Sequence, residues 1–350
     1  MVDKSFCMSQ YLAFRYVFDD SKLFFENNVR KSYPLTVPPW RHYVRGVEDM
    51  DEYLSRAMEE CIGGRDDIGL FLSGGMDSAI LATYLPRGTR AYTFRNLADG
   101  TIAEEGRAEE YAKMCGLDLK IVDFTWDDFL ELAPELMKSK GAPLHSIEVM
   151  LYKASKIAKS EGLNAIVTGE GVDGTFGGSD KLISKDWKFD EFVKRYCFSD
   201  PAKVLRKPAD VSYKFEPYRI GTDDIDYNRF LCDHMSIETH NSFTHSMALA
   251  GIKMLAPYGY LGLEGPLDVA RIRSGDTKYL VRRLFRRRYP GMREHDKIPL
   301  PRGVAAWLKD WAGPVRDEFA PGCIDGATGD QKWQCWCLER FLNLHDERVL

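Results

Sequence analysis

Ser73, Gly74, Gly75, Asp77 and Ser78 fall within one short stretch, and their types suit the binding of a polyphosphate. Adjacent glycines let a backbone approach an anion closely and turn its N–H groups toward it. Ser73 and Ser78 carry hydroxyls that can donate to phosphate oxygens, and Asp77 can hold a magnesium ion that offsets phosphate charge. No Lys-Ser or Lys-Thr pair closes the loop, so it is not the Walker type used for phosphoryl transfer. A second glycine-rich stretch follows, Gly169-Glu170-Gly171-Val172-Asp173-Gly174-Thr175-Phe176-Gly177-Gly178. Of its two carboxylates, one can join Asp77 on the metal while the other moves protons.

The surrounding pattern supplies elements that would position both stretches. The apolar run 68–72 reads as a buried strand, and 78–85 as a helix whose N-terminus adds partial positive charge beside the loop. Strands are expected at 91–94, 119–124 and 165–168, and helices at 49–61, 103–115, 126–138 and 148–160. Such alternation predicts an α/β fold, a doubly wound parallel sheet with ligands at the C-terminal ends of its strands. Three parts are expected: an N-terminal segment, 1–66, with aromatic clusters and a Pro38-Pro39-Trp40 turn; an α/β core, 67–190; and a mainly helical part, 191–350, that completes the site.

At 350 residues and a net charge of −5, the chain has a core of ordinary size and no electrostatic footprint for nucleic acid. No apolar stretch could span a bilayer and no signal peptide begins the chain, so a cytoplasmic protein without membrane or nucleic-acid partners is expected. The eight cysteines form no C-x-x-C pair and read as buried free thiols. In the tail, Trp333, Trp336, Cys337 and Phe341 fall near helical spacing, as an apolar face packed on a core would.

The Ser-Gly-Gly-x-Asp-Ser loop resembles that of ATP pyrophosphatases, which cleave ATP between the α and β phosphates. With the second stretch it resembles the synthetase domain of the asparagine synthetase family, across residues 45–300. The resemblance implies an adenine nucleotide α-hydrolase-like fold and ATP and Mg2+ as cofactors. It implies nucleotide contacts from Leu72, Ser73, Gly74, Gly75, Asp77, Ser78, Thr168 and Gly169, and an apolar contact to adenine from Phe94. Asp77 and Asp173 become the metal ligands, and Glu170 a catalytic carboxylate. Lys278 and Arg282 match a helix with two cations four residues apart, and Lys297 matches a late lysine near the adenylate. The remaining arginines of the 282–288 segment read as a solvated face.

Departures limit what carries over. Glutamine-using relatives begin with a glutaminase domain whose nucleophile is a cysteine exposed after Met removal, whereas Val2 stands here and residues 1–66 leave no room for it. Ammonia, an amine, or nitrogen from a separate glutaminase is therefore expected. Gly174, Ser179 and Leu255 replace a Glu, a Tyr and an Arg common in asparagine synthetases, which puts aspartate in doubt as the acceptor. His145, Ser146 and Glu148 are read either as a different recognition set or as a capped helix start with Ser146 bonding backbone. The expected activity is ATP-dependent amide formation on a small carboxylate. An RNA- or nucleobase-modifying ATP pyrophosphatase and a non-catalytic synthetase-like subunit are the alternatives.

Overall fold

Five parallel strands form the centre of the fold, in the order Asp118–Phe124, Arg90–Asn96, Ile68–Phe71, Ala165–Val167, Lys253–Leu255. The computed structural model describes residues 1–34, 41–101, 105–294 and 302–350. The Pro38-Pro39-Trp40 turn, the first residues of the helix expected at 103–115, and Lys297 lie outside the described residues.

Successive strand residues point to opposite faces, and this alternation sorts the two layers. Ile68, Leu70, Ala91, Ala165 and Val167 pack in one apolar cluster, with residues of helices Val47–Ile62, Met76–Ala82, Glu105–Cys115 and Tyr279–Arg288. Phe71, Tyr92, Phe94, Val122, Phe124 and Ile166 pack in the other, with residues of helices Trp126–Lys140, Glu148–Ser160 and Gly329–Asp346. The sheet is thus covered on both sides. Strand Ile68–Phe71 is accordingly buried at every position, and its sequence is apolar without alternation.

Strand order reverses at Ile68–Phe71: the chain builds outward on one side and then crosses to Ala165–Val167 on the other. In open parallel sheets the crevice at such a reversal takes ligands. Both glycine-rich stretches leave the sheet there. The loop helix, expected at 78–85, is Met76–Ala82: Gly75 is extended, with ψ 153°, and serves as its N-cap. Its end is tightened by the Thr83 hydroxyl, which donates to the Ile80 carbonyl at 2.7 Å, before Pro86.

Beyond the sheet, helices dominate, among them Phe189–Tyr196, Tyr227–His234 and Ile237–Leu249. A separate aromatic cluster includes Phe14, Phe189, Phe192, Phe215 and Phe230, with the Phe215 and Phe230 rings stacked at 4.6 Å. The tail helix Gly329–Asp346 begins with a capping box between Thr328 and Gln331 and buries Trp333, Cys337 and Phe341. All eight cysteines are free thiols, but only Cys7, Cys323, Cys335 and Cys337 are buried; Cys61, Cys115 and Cys197 are half-buried, and Cys232 is exposed on the outer face of the short helix Tyr227–His234. Among the described residues no helix is long and apolar enough to cross a membrane.

Candidate active site

The loop after Ile68–Phe71 holds its own shape. Leu72 N–H continues the sheet by donating to Tyr92 O at 2.9 Å. Ser78 Oγ then accepts from Ser73 N–H at 3.0 Å and shares a hydrogen bond with Ser73 Oγ at 2.9 Å, while Gly75 N–H donates to Ser73 Oγ at 3.2 Å. These bonds close the turn and leave Asp77 in the first helical turn. The buried Tyr258 hydroxyl donates to the Asp77 carbonyl at 3.0 Å and ties the loop to the C-terminal part.

Lys278 joins the two glycine-rich stretches. Its Nζ lies 2.6 Å from Asp77 Oδ2 and also pairs with Asp173 Oδ1. Lys278 is 6% exposed and has φ 50°, a left-handed conformation uncommon outside glycine. Burial opposes its charge, but the Asp77 and Asp173 carboxylates outweigh burial and raise its pKa above the ordinary lysine value. Gly178 has to be glycine here, since a Cβ would sit 1.9 Å from Asp173 Oδ1 and 2.5 Å from Lys278 Cε. Two carboxylates that meet on one point from two loops are hard oxygen donors suited to Mg2+, so the residues present fit that ion.

Glu170 sits just before Gly171, whose φ of 92° turns the chain into the short helix Val172–Phe176. Thr239 Oγ1 donates to Glu170 Oε1 at 3.0 Å. Burial raises the Glu170 pKa to about 7; the charges of Asp173 and Glu238 add to this, against the Thr239 hydrogen bond. A carboxyl near neutrality can both take and give a proton at working pH. Thr168 is buried, its N–H bonded to Leu255 O at 2.8 Å, and Gly169 packs so near Asp77 that a Cβ would lie 3.3 Å from the Asp77 Cβ.

Other expected site residues stand apart from this centre. Arg282 turns its guanidinium to the Thr277 carbonyl at 2.8 Å and to Glu294 at 2.9 Å. Phe94 packs between Phe71 and Phe124, with ring centroids 5.3 and 5.8 Å away. The capped-helix reading of 145–148 is corrected in its detail. The N-cap of helix Glu148–Ser160 is Ile147 without a side-chain bond, and Ser146 Oγ instead accepts from Arg302 at 3.3 Å. Glu148 faces inward, bonded to Lys140 Nζ at 2.5 Å, His145 N–H at 2.7 Å and His245 Nδ1 at 3.1 Å. Thr239 and Tyr258 were not expected in the site. Neither belongs to a motif, and only the folded chain brings them to Glu170 and Asp77.

The family profile described as asparagine synthase matches residues 49–210. This segment, just under half of the chain, is similar to asparagine synthase domains. Loop and turn both fall inside this ATP pyrophosphatase-type domain, whereas Thr239, Tyr258 and Lys278 come from beyond its matched part. A Methanocaldococcus jannaschii protein named as a glutamine-hydrolysing asparagine synthetase is 27% identical over 143 residues, which are 38% of this chain. The match spans about a quarter of that relative's length, 26%. Among solved structures, the U34-tRNA thiolase NcsA of Methanococcus maripaludis with its [4Fe-4S] cluster aligns over 78% of this chain and 90% of its own. Its identity is 14% and its TM-score 0.29, too low to carry an argument.

Proposed function

We propose that this chain is an AMP-forming ligase: it adenylates a small carboxylic acid with ATP and passes the acyl group to ammonia or an amine. The observation that carries this reading is the convergence of Asp77, from the first glycine-rich loop, and Asp173, from the second, on the one Lys278 ammonium.

In this reading the ATP phosphates lie over residues 72–78, met by loop N–H groups and the Ser73 hydroxyl, with Thr168, Gly169 and Phe94 on the nucleoside side. Asp77 and Asp173 would hold Mg2+, which when bound offsets phosphate charge and favours departure of pyrophosphate. Lys278 places a buried cation beside the same phosphates. The substrate carboxylate oxygen attacks the α-phosphorus, pyrophosphate leaves, and an acyl-adenylate remains. The amine nitrogen then attacks the acyl carbon, Glu170 takes its proton, and AMP departs with the C–O bond electrons. A Glu170 pKa of about 7 supports this role, since much of the carboxyl is then ionised at neutral pH yet basic enough to accept a proton. The amine has to arrive unprotonated, which a water-poor pocket favours.

Exchange of labelled pyrophosphate into ATP, run with the purified chain across a panel of carboxylic acids, tests the reading and names the acceptor. At least one acid is expected to drive exchange in the presence of Mg2+. Exchange with no acid of the panel, alongside ATP cleavage driven by RNA, would replace the ligase with a nucleobase-modifying enzyme.

A further inference from the structure

The start of helix Ile237–Leu249 lies against the second glycine-rich stretch. The contact is close: a Cβ at Gly174 would lie 3.0 Å from Ser236 Oγ and 3.2 Å from Met235 Cε. The bare backbone of Gly174 thus lets the helix start settle on the turn. That docking brings Thr239 to Glu170, 69 residues earlier in the chain. Thr239 Oγ1 lies 3.0 Å from Glu170 Oε1 and 3.3 Å from the Ser236 carbonyl oxygen.

A threonine hydroxyl has one proton to give and lone pairs with which to accept. At Thr239 two acceptors compete for that proton, the Glu170 carboxylate and the Ser236 carbonyl of the same helix start. The carboxylate is charged and makes the shorter contact, so an ionised Glu170 takes the bond. Once Glu170 is protonated, its own O–H can donate to Thr239 Oγ1, and the threonine proton turns to the Ser236 oxygen. A carbonyl three residues earlier is an ordinary resting place for a threonine hydroxyl in a helix. Oε1 of Glu170 therefore meets a partner whether it is bare or carries the proton.

We propose that Thr239 is a positioning residue for Glu170, holding its carboxyl in one orientation before and after it takes a proton from the amine. The proton-taking half rests on the ligase reading; the hold on the carboxyl does not. No bond of Thr239 is made or broken: the proton passes from nitrogen to the Glu170 carboxyl, and the hydroxyl keeps its own while changing direction. The surroundings of Glu170 give the hold its weight. Burial, with the negative charges of Asp173 on the short helix Val172–Phe176 and of Glu238 beside Thr239, favours the neutral form of Glu170. The Thr239 hydroxyl and the Gly171 N–H act the other way. The nearby cations face the other acids, Lys278 meeting Asp77 and Asp173 and Arg15 meeting Glu238. Thr239 is thus the side chain bonded to Glu170 that favours the form able to accept a proton.

Carbon NMR of the whole chain, labelled at the glutamate side-chain carboxyls and titrated without substrate, tests the hold. The Glu170 signal is the one lost in Glu170→Gln. Thr239→Val keeps the shape of the side chain and removes the hydroxyl, and Thr239→Ser restores it. The Glu170 midpoint in Thr239→Val is expected to rise by about one pH unit, a ten-fold gain in proton affinity, as for one lost hydrogen bond to a charged group. Thr239→Ser should return it to the value of the unaltered chain. Thr239→Ala gives the same reading with a smaller side chain if the valine variant does not fold. An unmoved midpoint without the hydroxyl, or a serine variant that behaves as valine does, would overturn the proposal. With an acid that drives pyrophosphate exchange, Thr239→Val should make amide several-fold more slowly near neutral pH while exchange continues. A shifted midpoint with unchanged amide formation would overturn the catalytic half of the proposal. Exchange with no acid would sink the ligase reading instead, and the titration alone would then decide the hold on the carboxyl.

Discussion

Two lysines of this protein are buried against carboxylates, and they are built from opposite materials. Lys140 meets Glu148 across eight residues of chain, and both side chains are sealed, 5% and 0% exposed. Lys278 meets Asp77 from 201 residues away, and there the lysine alone is sealed: Asp77 and Asp173 keep 24% and 43% of their side-chain surface. Glu148 also receives the His145 N–H and His245, so its oxygens are committed to protein. Asp77 and Asp173 stand on glycine-rich turns and keep part of their surface in contact with solvent. A paired charge closed on all sides holds a fold together, whereas one left open on its acidic side can change partner.

The largest effect that would break this contrast is at Asp77. Asp77→Ala is expected to abolish magnesium-dependent pyrophosphate release while leaving the denaturant midpoint close to that of the unaltered chain. Release at the normal rate would remove the loop from the chemistry.

Next is Glu170→Gln, which keeps size but cannot accept the proton. Amide formation should fall about a hundred- to ten-thousand-fold, the usual range for a general base, while acid-dependent pyrophosphate exchange persists. Equal loss in both assays would move Glu170 to the nucleotide and end its proton-transfer role.

On the sealed side, Glu148→Gln leaves Lys140 buried without its counter-ion. A loss of about 3–5 kcal/mol in unfolding free energy is expected, as for other buried pairs broken from one side. A cost below about 1 kcal/mol would show the cluster to be as open to exchange as the loop.

The smallest effect is a slope. The folded Glu170 pKa, about 7, is raised above the ordinary value of 4.5, so its protonated form is favoured by folding. That contribution is fully present below pH 4.5 and is lost as pH rises through 7. Stability between pH 5 and 8 should therefore fall less steeply in Glu170→Gln than in the unaltered chain, measured by urea unfolding at each pH. Parallel slopes would mean that Glu170 is already ionised across that range.

What was legible in the sequence follows the same division. Strands and glycine-rich turns could be placed because burial on both sheet faces leaves uninterrupted apolar runs, and because close backbone approach demands glycine, as Gly178 does against Asp173. The helix after the loop was misplaced by a few residues, because Gly75, with no capping side chain, gives no signal for where it begins. Lys278 was found only through the family's pattern; nothing local ties it to Asp77. The contacts of Arg15 and Glu238 with His145, and of Arg302 with Ser146, were out of reach altogether. His145 and Ser146 were noticed, but no periodicity or spacing brings Arg15, Glu238 and Arg302 to them, and only the packing of the first helix and the C-terminal part on the sheet does so.

The sequence distance of Lys278 from its partners also sets an order of assembly. On the ribosome, four of the five strands and both acidic turns have been made by residue 178, while the fifth strand waits for Leu255 and the bridging lysine for residue 278. Through that interval Asp77 and Asp173 lack the ammonium that later draws them together, and the crevice between their turns has no edge strand beside Ala165–Val167. The nascent chain therefore carries an unfinished sheet with two like charges at its mouth. Closure of the crevice between the two turns belongs to the last third of synthesis, and a chain released before Lys278 would keep that crevice open.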